Sequence, residues 1–317
     1  MAEPAAAVVR PKRSFTWLKA GLSAVGAAAV ATIVVMSTTS GTMPADPTDA
    51  AALQEVEESP LLKLASDVKA AAQSGDASLV IGSKHTPDLP ANLFYSVYSD
   101  TGQVFKGDSE TTLAEAVARN QDDAREFDRK IVAAARLAST GEVEQAKTAM
   151  VAALDGNPLG AGLGPIEAER AWAEAEKRRL DIYPKTGREA PAPMPRPTGK
   201  ELESRINSVL WRNATATLFL GATKADVRAG VLRLFEAMKD VVAVKQSEVN
   251  GQRVLTLSAS SKFLGGDYSH VVTIDAGNGL PIRDEYFPAE NAPNAKYSVI
   301  EFRSSRVDLA DVAAGKI

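Results

Sequence analysis

The sequence predicts an α+β fold in which helices pack on an antiparallel, curved β-sheet, held outside a membrane by a single N-terminal transmembrane helix. Three observations predict it. An uncharged run from Ala20 to Ser37 follows a basic flank. The last third of the chain reads as two amphipathic helices and then a meander of short alternating strands. Asn250-Gly251 sits between two such strands and is the strongest short hairpin signal in the chain.

The N-terminal segment is AGLSAVGAAAVATIVVMS, and Leu18 and Thr38 can extend it towards the ~20 apolar residues that a bilayer-spanning helix needs. Arg10, Lys12, Arg13 and Lys19 all precede it, and Trp17 is placed for a headgroup interface. The positive-inside rule then puts residues 1–19 in the cytoplasm, the transmembrane helix at 20–38 and everything after it outside. A cleaved signal peptide is the competing reading: the small residues after Met36 could serve a peptidase, although no A-x-A is present. Residues 39–58 are polar, proline-bearing and then acidic, as expected of a stalk.

The exported part opens at Ser59-Pro60, a helix start with proline at the first helical position. Ser78–Lys84, Asn92–Ser99 and Gln103–Gly107 read as strands, the last two joined by a turn at Asp100-Thr101-Gly102. Thr111 or Thr112 opens a helical region. Phe127, Ile131, Ala134 and Ala138 recur at helical spacing, Thr140-Gly141 interrupts them, and Val143, Ala146 and Met150 resume the pattern. Glycines 156, 160, 162 and 164 mark a connector before a charged helix that starts at Pro165. These elements make residues 59–182 a hairpin plus a helical region, and the proline-rich stretch 183–198 reads as a linker.

Residues 199–312 are the most regular. Leu202, Ile206, Val209 and Leu210 mark a helix that can run to Leu220 with Gly221 as its stop. Thr223 is expected to cap a second helix bearing Val227, Val231, Leu234, Phe235 and Met238. Strands follow at 241–249, 254–260, 268–275, 280–287 and 296–304. The predicted core of this sheet is Val242, Val244, Leu255, Leu257, Val272, Ile274, Leu280, Ile282, Val299 and Ile300. Val299 and Ile300 are neighbours, so one of them should be less buried.

Composition narrows the chemistry. With 45% hydrophobic and 24% charged residues the body has enough apolar surface to fold. A net charge of −4, with four basic residues spent before the membrane segment, disfavours nucleic acid as a partner. The absence of cysteine removes thiolate metal sites, disulfides and cysteine nucleophiles. No H-E-x-x-H, G-x-S-x-G or Walker motif is present. His85 falls in a loop-like segment, and His270 shares a strand face with Tyr268, Val272 and Ile274, which reads as a core position. Asp122-Asp123, Glu57-Glu58 and Asp284-Glu285 are sequence neighbours that point apart and are read as solvated. Trp172 and Trp211 are assigned ordinary packing roles. No catalytic, cofactor-binding or metal residue is therefore nominated, no cofactor is expected, and the chain is read as a non-enzyme.

The strings LRLFEAMKDVVAV, NGQRVLTLS, YSHVVTIDAGNGLPIRDEYF and YSVIEFRSSRVDLADV, with LFYSVYSDTGQVFKG upstream, resemble a group of uncharacterised actinobacterial membrane-anchored proteins. These are of the kind found beside extracytoplasmic-function sigma factors, and the resemblance covers residues 75–312. It rests on turns and strands and transfers no reactive residue. What it implies is a membrane-anchored extracytoplasmic binding or sensing domain whose partner is an envelope protein or a lipid. Two alternatives stand beside this: a carrier or sensor of an apolar or lipid ligand held between curved sheet and helices, and an enzyme with an unrecognised Asp, Glu, Lys, Ser or Tyr site. An apolar cavity on the sheet would favour the carrier, and a cleft of converging carboxylates the enzyme. The topology is tested directly: protease added to intact protoplasts should remove nearly the whole protein and leave a short stub, and a protected C-terminal domain would contradict it.

Overall fold

The computed structural model describes residues 59–317 except 72, 73, 240, 265, 267, 291, 293 and 294; the expected cytoplasmic segment, transmembrane helix and stalk lie outside the described residues. Among the described residues no helix is long and apolar enough to cross a membrane. The described residues fall within one compact unit.

Helix α1 (Pro60–Ala70) buries Leu61, Leu64, Ala65 and Val68, and the Ser59 hydroxyl before it donates to the Glu236 carboxylate. Strands β1 (Ala77–His85), β2 (Asn92–Ser99) and β3 (Val104–Gly107) form an antiparallel meander. Helix α2 (Glu110–Ala118) starts slightly before the expected Thr111, because Ser109 caps it: its hydroxyl accepts from the Thr112 amide. The expected helix pair is α3 (Glu126–Ser139) and α4 (Val143–Ala152), separated at Gly141 with φ +103°.

Helices α5 (Pro165–Leu180) and α6 (Ile182–Lys185) precede the proline-rich stretch. That stretch is strapped back along α5: Trp172 Nε1 donates to the Met194 carbonyl at 3.0 Å, and the Met194 amide donates to Glu176 at 2.7 Å. The long helix α7 (Gly199–Leu220) ends at Gly221 as expected, and α8 (Ala225–Glu236) follows with Lys224 rather than Thr223 at its N-cap position. Strands β4 (Ala243–Val249) and β5 (Gln252–Ala259) meet at Asn250-Gly251, both with positive φ, 53° and 81°, as a type I′ hairpin turn requires. The short helix α9 (Ser261–Leu264) leads to β6 (Tyr268–Asp275), β7 (Pro281–Pro288), β8 (Ser298–Val307) and α10 (Leu309–Ala313).

All the strands join one antiparallel sheet of order β3-β2-β1-β8-β7-β6-β5-β4. The stretches before and after the proline-rich segment therefore contribute to the same sheet, joined where β1 pairs with β8 from Ala77↔Val307 to His85↔Val299. A register shift between Thr273 and Ile274 bends β6 against β7. At one end of the β1–β8 seam, Asp100 accepts a bidentate pair from Arg306 at 2.9 and 3.0 Å and faces Lys224 Nζ at 3.0 Å. Burial alone would raise the Asp100 carboxyl, but Arg306 and Lys224 outweigh it and hold the group below its usual range.

The main core lies on one face, where α1, α3, α4, α7 and α8 cover Leu255, Leu257, Val272 and Ile274. Helices α3 and α8 cross closely because Gly230 meets the Ala135 carbonyl, where a Cβ would have no room. Phe235 and Met238 are buried as expected, and Trp211 packs on Phe235 at 5.2 Å between ring centroids. A second, smaller cluster lies on the other face of β1–β3, where Leu79, Val97 and Phe105 pack against Leu113 of α2 and Val312 of α10. β1 is thus apolar on both faces, and each face is covered.

Two parts of the predicted core need correction. Val244 is exposed because β4 is an edge strand with one neighbour, while Leu280 and Ile282 are only half-buried. Val299 is buried and Ile300 less so, as alternation demands. Phe235→Ala should cost ~3–5 kcal/mol in chemical denaturation, the scale for a truncated core aromatic. A loss under about 1 kcal/mol would mean that α8 does not dock through this residue.

Candidate ligand cavity and its polar floor

The face that carries the main core also holds a cavity of about 980 Å³. Its floor is the inward face of β6, β7, β8, β1 and β2, and its roof is one stripe of α7. Arg212, Thr215, Ala216, Phe219 and Leu220 line it at helical spacing, while Trp211, Ala214 and Leu218 of the same helix turn into the core. Helix α3 adds Phe127 and Ile131.

The lining is largely aromatic and aliphatic. Phe219 stacks on Phe302 at 4.3 Å, and Phe94 meets Phe302 edge-on at 6.4 Å. Phe94 lies across Gly82 on the neighbouring strand; a Cβ there would come within 2.1 Å of the phenyl ring. Glycine at 82 thus lets an aromatic side chain lie down on the sheet and keeps space open above it.

At the β6–β7 end the floor becomes polar. His270, on β6, stands opposite Tyr286 on β7, and Val272 stands opposite Asp284. His270 and Asp284 are 3% and 2% exposed. The indole Nε1–H of Trp211 donates to His270 Nδ1 at 2.8 Å. Because an indole nitrogen can only donate, Nδ1 must be the unprotonated nitrogen. The ring hydrogen is then on Nε2, which donates to Asp284 Oδ1. The phenol of Tyr286 stacks on the imidazole at 4.3 Å with 12° between planes. Burial first, then the charge of the nearby Asp284 carboxylate, push the phenol above its ordinary value.

This arrangement is chemically quiet. Both imidazole nitrogens are engaged within the fold, so His270 has no free lone pair to take a proton from a substrate. A phenol raised in this way stays protonated at neutral pH, so it offers no phenolate to act as a base. At the opposite end of the cavity, Arg125 clamps Asp128 with contacts of 3.0 and 2.6 Å, and Lys106 pairs with Asp123. No group of three or more potential metal ligands occurs among the described residues.

His270 occupies the core strand face predicted for it. His85 is exposed at the end of β1, hydrogen bonded to Ser83 Oγ at 2.9 Å, and the cavity does not include it. Two sequence readings are corrected. Asp284 is not solvated: β7 alternation turns it inward while Glu285 turns outward to accept from the Tyr297 hydroxyl at 2.7 Å. Trp211 does more than pack, since its N–H sets the tautomer of His270. One signal was available for Asp284: an acidic residue in step with Ile282 on a strand paired with apolar β6. No signal linked Trp211 to His270, which lie far apart in the chain.

No protein-family model, curated protein or solved structure matches the chain. Trp211→Phe keeps the ring against Phe235 but strands His270 Nδ1 in a buried site. It should destabilise the protein by about 1–3 kcal/mol, the cost of one unsatisfied buried polar group. Equal stability of the variant and the parent in urea would show that the indole–imidazole bond contributes nothing.

Proposed function

We propose that this protein binds an apolar ligand of one extended chain, held between the sheet and α7, and that it carries or senses this ligand without transforming it. The single observation that carries the reading is the cavity of about 980 Å³ lined by Phe94, Phe127, Phe219 and Phe302. Ligand sites span ~300–1,000 Å³ and are mostly apolar with a few placed polar groups, which describes this cavity well. Solvent-facing aromatic side chains on this scale are unfavourable in an empty site and become favourable when an apolar chain displaces water from them. The closed hydrogen bonding of His270 supports binding rather than chemistry. In this reading residues 20–38 anchor the body to the membrane, which would also be a natural source of the ligand.

Residues 55–317 hold both hydrophobic clusters and the entire sheet, so this body has the core it needs to fold by itself. It should enhance the fluorescence of N-phenyl-1-naphthylamine saturably. Ala216→Trp places an indole in the cavity from an exposed position on α7 and should weaken that binding by roughly tenfold or more, equivalent to at least ~1.4 kcal/mol. No enhancement with the parent protein, or undiminished binding by the variant, would overturn the proposal.

A further inference from the structure

The polar floor of the cavity has a direction. Trp211 donates to His270 and His270 donates to Asp284, while Tyr286 stacks on the imidazole with its phenol near that carboxylate. The indole and imidazole protons therefore both run towards one carboxylate. What remains at Asp284 is acceptor capacity: a carboxylate has about four lone-pair sites, of which His270 uses one, and the phenol oxygen keeps its own lone pairs.

Asp284 also lacks the partner that usually accompanies a buried carboxylate. Among the described residues its ion-pair partner is His270, which the Trp211 bond holds in the neutral form. Asp128, on the same cavity, shows the contrast, because Arg125 covers it with a guanidinium. A carboxylate at 2% exposure beside an open apolar space gains from any donor delivered into that space.

Resting on the apolar-ligand reading above, we infer that Asp284 and Tyr286 form a head-group subsite: the ligand is an amphiphile whose polar end donates hydrogen bonds, as a hydroxyl or ammonium group does, and carboxylate-ended chains are turned away. A carboxylate head brings acceptors to acceptors and a negative charge to a buried negative charge. A hydroxyl head donates to Asp284, and an ammonium head adds charge attraction.

The test uses ligands of one chain length: 1-decanol, decylamine, decyl methyl ether and decanoate, each displacing N-phenyl-1-naphthylamine from residues 55–317. Decanol and decylamine should displace it at concentrations roughly tenfold or more below decanoate, the scale of one unpaired buried polar group. Decyl methyl ether is uncharged and accepts only, so it should also fall behind decanol once each is scaled by its octanol partitioning. That arm needs no variant and separates donor recognition from charge. Whichever of decanol and decylamine is tighter identifies the head as hydroxyl or ammonium. Asp284→Asn keeps the acceptor facing His270 and turns an N–H₂ towards the cavity, so it should erase or reverse the preference over decanoate while its thermal transition stays cooperative.

Equal displacement by decanol, its methyl ether and decanoate would overturn the inference and leave the apolar cavity standing. A preference for decanoate that Arg212→Gln abolishes would overturn it in favour of an anionic head held at the exposed Arg212. Failure of the naphthylamine itself to bind would instead remove the cavity reading on which the inference rests.

Discussion

The pairing of β1 with β8 is the constraint on which the rest of the architecture depends. It joins the meander near the start of the body to the last strand of the chain and makes two small sheets into one. Without it β1 would present an open edge, and the cavity floor, which runs from β2 to β6, would be cut in the middle. The seam is secured at one end by Asp100, which draws together Arg306 of β8 and Lys224 at the start of α8. That cluster links three segments distant in sequence, and its geometry fixes where the helical layer sits on the sheet. At the opposite end, beyond the exposed His85, the segments flanking the two strands are joined by the surface pair of Lys296 and Asp88 at 3.8 Å.

Helix α7 divides its surface between two tasks, and this division explains why a large space can persist beside a dense core. One stripe, through Trp211, Ala214 and Leu218, is wholly buried against α3, α4 and α8. The stripe beside it, through Thr215, Ala216 and Phe219, stands over the sheet without filling the gap. Small residues at 215 and 216 keep the roof high. Trp211 ties the two regions together, because the same side chain that packs on Phe235 also reaches the imidazole on the cavity floor.

Much of the fold was legible in the sequence because its signals are local. The Asn250-Gly251 turn, the Gly221 stop and the proline start at 60 each express the dihedral needs of one or two residues, and alternation along β6 placed Val272 and Ile274 inside. The misreadings arose where tertiary context decides. Val244 alternates like a core residue but belongs to an edge. Asp284 obeys the same alternation as its apolar neighbours, and only knowledge that β6 and β7 pair could show that His270 awaited it. The cavity was not legible at all, since it is made of what residues do not fill: Gly82 under Phe94 and a stripe of α7 held off five strands by small residues.

The order of the strands in the chain also governs how the protein can acquire its shape. The partner of β1 is made last, more than two hundred residues later, and until it arrives the β1–β3 meander carries an unsatisfied hydrogen-bonding edge with apolar side chains on both faces. Contacts of such long sequence separation are slow to form, because the loop entropy is lost before the pairing can compensate. A chain leaving a ribosome or a translocation pore would expose that edge throughout the passage of the remainder. An unfinished edge of this kind invites pairing with other chains. The body can therefore complete its folding only once β8 has emerged, so its yield should depend on how well the exposed meander is shielded in the interval.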